Sequence, residues 1–265
     1  MSEPTGRDLD VFAALAIRLA DAARPIARKY FRGAFAVDDK ADSSPVTIAD
    51  REIEAALRAL IEQAFPDHGI FGEEHGRTRM EADYIWVIDP IDGTQGFVTG
   101  KPLFGSLIAL TYKGRPVVGV IETPATGERW VGVKGRPTLF DGREVRVRAC
   151  ADLARGWLYA TTPHMFAGAE AEAFDRLRGR VKKSLYGADC YAYGLLANGT
   201  VDLVCEASLK PYDYCALVPV VEGAGGVISD WEGRPLTVAS GSRVLAAGDA
   251  AAHRAALTAL AGESG

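Results

Sequence analysis

The segment from Tyr84 to Thr94 sets the tightest limit on how this chain can fold. Tyr84-Ile85-Trp86-Val87-Ile88 has the composition of a strand and runs straight into Asp89-Pro90-Ile91-Asp92-Gly93-Thr94. An unbroken run of β-branched and aromatic residues marks a buried strand, so Asp89 arrives where an apolar sheet ends. A carboxylate there is costly without partners. Pro90 has no N–H and is expected to stop the ladder, while Gly93 permits a tight reversal. Asp89 and Asp92 can then turn toward one point, and the Ile91 carbonyl loses its strand partner. Two carboxylates and a carbonyl are hard oxygen donors suited to Mg²⁺, Mn²⁺ or Ca²⁺, and Mg²⁺ in particular combines a few carboxylates with water and substrate phosphate. Gly93-Thr94-Gln95 would open a helix or turn whose free N–H groups seat an anion, so that metal and phosphate share one pocket. Read alone, the same letters also fit a β-turn at Asp92-Gly93 with Asp89 as a strand-end cap.

Other segments shift that balance. Ile70-Phe71-Gly72-Glu73-Glu74 is a second short apolar run ending in acids, and Val46-Thr47-Ile48-Ala49-Asp50 opens an amphipathic helix. Further on, Tyr212-Asp213 precedes Glu222-Gly223-Ala224-Gly225-Gly226. With these segments in order, the chain resembles the inositol monophosphatase superfamily of Mg²⁺-dependent, lithium-sensitive phosphatases from about Leu9 to Ala261. The marks of that superfamily are Gly-Glu-Glu, Trp-x-Ile-Asp-Pro-Ile-Asp-Gly-Thr and a later Trp-Asp, and here Tyr212 stands in place of the last tryptophan. The wording of Gly93–Gly105, Gly127–Trp130 and Leu209–Asp213 is most similar to the histidinol-phosphatase branch.

The resemblance implies a mixed α+β / α/β fold, a layered αβαβα sandwich that forms a homodimer. It implies two or three Mg²⁺ ions per site, with Mn²⁺ as a substitute, held by Glu73, Asp89, the Ile91 carbonyl, Asp92 and Asp213. Glu73, Thr94 and Asp50 would be catalytic: Asp50 accepts from Thr94, and Thr94 and Glu73 flank a metal-activated water that attacks in line. Asp50, in the first turn of a helix, and Asp213, at the start of another, also fit plain capping roles. Gly93 and Thr94 would take the phosphate, and Gly187, Asp189 and Glu206, with Asp213, the alcohol part of the substrate. Asp189 reads equally as an N-cap. Two acids at that end suit a cationic amine or imidazolium better than a neutral polyol, which favours L-histidinol phosphate, hydrolysed to L-histidinol and phosphate as in histidine biosynthesis. Inositol 1-phosphate and 3′-phosphoadenosine phosphates are the alternative substrates within the superfamily. A metal or polyol-phosphate binding protein without turnover is the alternative of another class, against which the presence of Asp50, Glu73 and Thr94 together argues.

Weaker candidates read as ordinary surface. Glu74 is a surface or supporting acid, His68 and His75 are solvated turn residues, His164 is a loop histidine and Lys210 a surface lysine. Lys40, before the second helix, either gates the site or is merely solvated. Trp86 and Trp130 read as core aromatics.

Phe12, Leu15, Leu19, Ile26 and Tyr30 recur at helical spacing, which predicts a long first helix kinked or broken at Pro25. Ile53, Leu57, Leu60, Ile61 and Ala64 form a second stripe, and the two helices are expected to cover one face of a sheet. Strands are expected at Tyr84–Asp89, Ser106–Tyr112, Pro116–Glu122, Glu128–Val133 and Glu144–Arg148, with turns at Gly114, Gly127 and Gly142. That is a largely antiparallel sheet within an N-terminal part, residues 1–150. Residues 151–265 alternate strand and helix, including one helix over Asp213–Gly223, and the site is expected between the two parts. A formal charge of −5 without any basic run argues against nucleic acid as a partner, and leaves a small phosphomonoester as the expected one. Cys150, Cys190, Cys205 and Cys215 lack zinc-site or disulfide-framework spacing and are expected to be reduced. The apolar stretch Val11–Ala20 is interrupted by Arg18 and is not ordered like a signal peptide, and no segment approaches membrane-spanning length, so the cytoplasm is the expected location.

Overall fold

The computed structural model describes residues 3–33, 37–39, 45–150 and 152–262; Lys40 lies outside them. Helix α1 (Gly6–Tyr30) starts on a capping box between Thr5 and Asp8. It continues through Pro25 without breaking. An antiparallel pair, β1 (Val37–Asp39) and β2 (Pro45–Thr47), leads into α2 (Ile48–Ala64), which is capped in the same way by Thr47 and Asp50. Then come β3 (Gly69–Gly72), β4 (Arg77–Thr78), β5 (Tyr84–Asp92) and the short α3 (Thr94–Val98). The strands β6 (Gly105–Tyr112), β7 (Arg115–Thr123), β8 (Glu128–Val133), β9 (Leu139–Phe140) and β10 (Arg143–Glu144) follow. They form an eight-stranded sheet in the order β10-β9-β8-β7-β6-β5-β3-β4, antiparallel except where β3 runs parallel to β5.

The rest of the chain supplies β11 (Trp157–Ala160), α4 (Ala169–Arg178), β12 (Lys183–Tyr186), α5 (Tyr191–Ala197), β13 (Leu203–Glu206), α6 (Pro211–Tyr214), α7 (Leu217–Gly223), β14 (Val227–Ser229), β15 (Val244–Ala247) and α8 (Ala250–Ala261). Its strands make a five-stranded mixed sheet, β12-β11-β13-β15-β14.

Three apolar cores order these parts into αβαβα layers. The stripe of α1 and α2, through Phe12, Leu19, Ile53 and Leu57, packs on Trp86, Ile88 and Ile108 of the larger sheet. The opposite face of that sheet, with Ile85, Val87 and Trp130, meets Tyr193 and Leu196 of α5, Val220 of α7 and the inner face of the second sheet. Phe174 and Leu177 of α4 and Leu260 of α8 cover that sheet from outside. Successive β5 residues thus enter alternate cores, which is why the strand needs an unbroken apolar run rather than an alternating one.

Four local readings change. Pro90 does not stop β5: the strand runs on to Asp92 through a register shift, and the freed Pro90 carbonyl accepts from Ser106 Oγ at 2.6 Å. The expected strand Glu144–Arg148 is a bridge at Arg143–Glu144, after which Val147 N–H bonds to the Ala224 carbonyl as the chain crosses between sheets. The expected helix Asp213–Gly223 is two helices, because Pro219 has no N–H for the Cys215 carbonyl and the ladder breaks there. His68 is not a solvated turn residue: its ring stacks between Phe65 and Tyr84, and Nδ1 accepts from the Trp86 indole at 3.2 Å. Burial holds its imidazole down at about 4, so it is neutral.

The corner between α6 and α7 sits directly on sheet backbone. Gly119 and Gly132 are cross-strand partners on β7 and β8. A Cβ on Gly119 would lie 2.0 Å from the Ala216 carbonyl oxygen, and one on Gly132 would lie 2.3 Å from backbone atoms of Pro219 and Val220. Only glycine allows this approach. Gly119→Ala should therefore cost about 1–3 kcal/mol of stability by overpacking. A lower urea midpoint at unchanged slope is the expected outcome, and an unchanged midpoint would mean that the corner sits elsewhere.

Candidate metal and phosphate site

In a regular strand, residues three apart face opposite sides of the sheet. Asp89 and Asp92 would be separated in this way were it not for the register shift. Asp89 pairs with Leu107 and Asp92 with Gly105, so β5 carries one more residue than β6 between these points. That extra residue is a bulge, and it reverses the alternation so that both carboxylates reach one side. Ile91 stays buried in the α1–α2 core. Its carbonyl accepts the Thr94 hydroxyl at 3.0 Å.

The α6–α7 corner brings the third acid. Asp213 is in the first turn of α6 but is not its cap residue, which is Lys210. One Asp213 oxygen accepts the Lys210 N–H at 2.6 Å. A carboxylate oxygen from each of Asp89, Asp92 and Asp213 lies within 4.8 Å of the other two. Glu73 follows β3, which lies parallel to β5, and its N–H bonds to the Ile88 carbonyl at 3.2 Å. Its carboxyl group acts directly on Asp89. Burial, then the neighbouring acids, push Asp89 and Asp92 well above the usual carboxylate range, and Asp213 rises to about 7, mainly through burial. Asp89 Oδ1 is buried with no hydrogen-bond donor. Crowded carboxylates and an orphaned buried oxygen fit a hard divalent cation, which would supply the missing positive partner.

Asp50 is buried at the edge of this cluster, where it closes the capping box by accepting Thr47 N–H at 2.8 Å and Thr47 Oγ1 at 2.6 Å. Burial is the first cause of its rise to about 6, with the charges of Glu74 and Glu73 adding to it. The Thr94–Asp50 hydrogen bond that the resemblance implies is not made. A threonine hydroxyl has one proton, and that of Thr94 goes to Ile91.

Gly93 is left-handed at φ 79° and opens α3, so Thr94 and its neighbours present the unpaired N–H groups of a first helical turn. A Cβ on Gly93 would lie 3.0 Å from Asp189 Cγ, which places the second part of the chain against the turn at Gly93. Asp189 is not the N-cap of α5; Cys190 is. Asp189 itself has φ 48°, an uncommon conformation for a residue with a side chain. Gly187, at φ 84°, immediately precedes this segment. Glu206 is buried at the end of β13, where Oε1 accepts Thr161 N–H and Oγ1 and Oε2 accepts the Tyr193 hydroxyl at 2.9 Å. Burial pushes its carboxyl up to about 7.

Two participants had no sequence signal. The Cys190 N–H donates to Asp92 Oδ2 at 2.7 Å, so the second part of the chain holds a carboxylate of the first. The Lys101 ammonium lies where a Cβ on Gly187 would be 2.5 Å away, and its charge acts on Asp189. Neither contact follows a local spacing rule. His164 and Lys210 are exposed and His75 largely so, while Trp86 and Trp130 are fully buried.

Asp50, Asp213 and Glu206 carry folded-state pKa values of about 6 to about 7, above their ordinary values. For such acids the stability contribution is complete below the ordinary value and is lost as pH rises through the folded one. A cation favours the deprotonated cluster. The gain in Tm on adding Mg²⁺ should therefore grow as pH rises from about 5 to about 7. His68 acts on none of these acids and affects both forms alike. Thermal melts with and without Mg²⁺ across that range check this, and a gain independent of pH would count against the cluster.

Residues 8–264 match the model of the inositol monophosphatase family. The bifunctional phosphatase IMPL2, chloroplastic, of Arabidopsis thaliana is 52% identical over 98% of this chain and 78% of its own length. A histidinol-phosphatase of Chlorobaculum parvum is 35% identical, with 89% of this chain and 92% of that protein covered. Among solved structures, an inositol monophosphatase from Zymomonas mobilis superposes with a TM-score of 0.88 at 48% identity, covering 95% of this chain and 98% of that one. With its acids gathered at the bulge of β5, the chain belongs to the inositol monophosphatase family.

Proposed function

We propose that this phosphatase hydrolyses L-histidinol phosphate to L-histidinol and inorganic phosphate, with Mg²⁺ as its cofactor. Family membership supports phosphatase chemistry, and the acidic cluster supports a divalent cation. The observation that carries the substrate reading is Asp189. It is a half-buried acid held against the phosphate turn at Gly93, within reach of the charge of a substrate amine bound there. Glu206 adds acidic character behind it, and Lys101 offsets part of that charge. A relative named histidinol-phosphatase supports the same reading. Inositol phosphate is the second reading, favoured by the 48% identity to a structure named inositol monophosphatase.

Glu73, Asp89, the Ile91 carbonyl, Asp92 and Asp213 would hold the cation. Bound Mg²⁺ supplies Lewis acidity and neutralises phosphate charge. The first turn of α3 at Gly93 and Thr94 receives phosphate oxygens through backbone N–H groups. Thr94 Oγ1 has committed its proton to Ile91, so it meets the attacking water as an acceptor and fixes its orientation. Glu73 takes up the proton of that water as the phosphorus–oxygen bond to the substrate alcohol breaks, and the departing oxygen takes a proton from solvent. Asp50 keeps the start of α2 in place beside Glu73 through its bonds to Thr47.

Phosphate release from L-histidinol phosphate, inositol 1-phosphate and 3′-phosphoadenosine 5′-phosphate, with and without Mg²⁺, tests this. The highest kcat/KM is expected for L-histidinol phosphate, and Asp92→Asn should abolish Mg²⁺-dependent release. Asp189→Asn should lower kcat/KM for L-histidinol phosphate by about 10–100-fold while sparing inositol 1-phosphate, since a charge-assisted contact contributes about 1.5–3 kcal/mol. Equal rates on the first two substrates would remove the basis for the assignment.

A further inference from the structure

Glu54 lies one helical turn beyond Asp50 on α2, with no exposed surface. Its carboxylate passes under Gly72, so closely that a Cβ on Gly72 would lie 1.9 Å from Oε1 and 2.7 Å from Oε2. Oε2 accepts the Glu74 N–H at 2.6 Å, and Oε1 accepts the His75 N–H at 3.1 Å. Arg58, on the next turn, donates to Oε1 at 2.7 Å, and also binds the Gly76 carbonyl and, at 3.3 Å, Thr78 Oγ1. Glu73 N–H goes to the Ile88 carbonyl of β5. Three successive N–H groups, at residues 73, 74 and 75, are thus taken up, one by β5 and two by a single buried side chain of α2.

Glu73 is the first residue of this clamped turn. Its backbone has no freedom to swing the carboxylate away from Asp89 while the clamp holds. A carboxylate is suited to the task because it only accepts, and its hydrogen-bond partners, the Arg58 guanidinium and the Glu74 and His75 N–H groups, all donate, with the His75 ring Nδ1 3.5 Å from Oε1. Gly72 is required for the same reason, since any side chain would displace the clamp.

We propose that Glu54 is a positioning residue that sets the place of Glu73 in the cation site, acting through the backbone of residues 73–75 and touching neither cation nor substrate. This rests on the reading of the acidic cluster as a cation site. Mn²⁺ titration of the metal-free protein by calorimetry tests it, with Tm and circular dichroism reporting the fold. Supporting groups around metal ligands typically change affinity by about 10–100-fold, and Glu54→Ala is expected to raise the Mn²⁺ Kd by at least about tenfold. Glu54→Gln, which keeps one acceptor oxygen, should fall between Glu54→Ala and the native chain. A role in stability alone would lower Tm and leave the Kd of the folded protein unchanged, and that result in Glu54→Ala overturns the proposal. Should neither Glu54 variant fold, Gly72→Ala pushes on the same clamp from the other side. The same rise in Kd is expected, and an unchanged value in the folded variant overturns the proposal. Failure of the native chain to bind Mn²⁺ would instead remove the cation site itself.

Discussion

Mutual repulsion among carboxylates is the constraint around which this molecule is arranged. Asp89, Asp92 and Asp213 crowd their oxygens together, and Glu73 presses on Asp89 from the turn after β3. Burial worsens this, because a desolvated negative charge has little to screen it. A protonated member can hydrogen-bond its neighbour, as Asp89 does with Glu73 and Asp213, but once ionised these acids only repel. Backbone geometry must hold them, and the bulge at Pro90–Ile91, the glycine-seated α6–α7 corner and the β3–β4 turn each hold one part of the cluster. The result is a site whose geometry is set by the backbone, with a charge repulsion that a cation would relieve.

The layered architecture makes that possible. β5 is buried on both faces, so its position is set by two cores at once, and its C-terminal end can carry charge without moving. The central helix layer joins the two sheets, and it is from this layer and the loops leading into it that Asp213, Cys190 and Asp189 reach the first sheet. Placing these groups at the ends of rigid elements limits the motion that would spoil their alignment.

Much of the fold was legible in the sequence. Apolar stripes located α1 and α2, unbroken β-branched runs located β5 to β8, and turn glycines separated them. The expected Asp213–Gly223 helix breaks at Cys215–Ala216, where Pro219 offers no N–H to the Cys215 carbonyl; that local rule was present but was outweighed by the apolar pattern. His68 was misread because its neighbours Asp67 and Gly69 are turn formers, whereas Phe65, Tyr84 and Trp86 enclose it in the fold. At the site, residue types and motif order indicated which acids belong together. The pairing of Thr94 with Asp50 did not survive, because capping of α2 and the Ile91 carbonyl satisfy those two groups locally.

The sequence by itself determined the chemistry available: oxygen donors of one sign, grouped after apolar strands and glycines, with no imidazole or thiol cluster to compete. Those facts are local, because composition and short-range spacing decide secondary structure and ligand type. Tertiary structure alone decided the direction in which each group points. The bulge that brings Asp89 and Asp92 to one side depends on the register of β6, the clamp under Gly72 on the docking of α2, and the Lys101, Asp189 and Cys190 contacts on segments about ninety residues apart meeting across two sheets. Such contacts arise from how layers pack, and packing is a property of the whole chain rather than of any stretch of it.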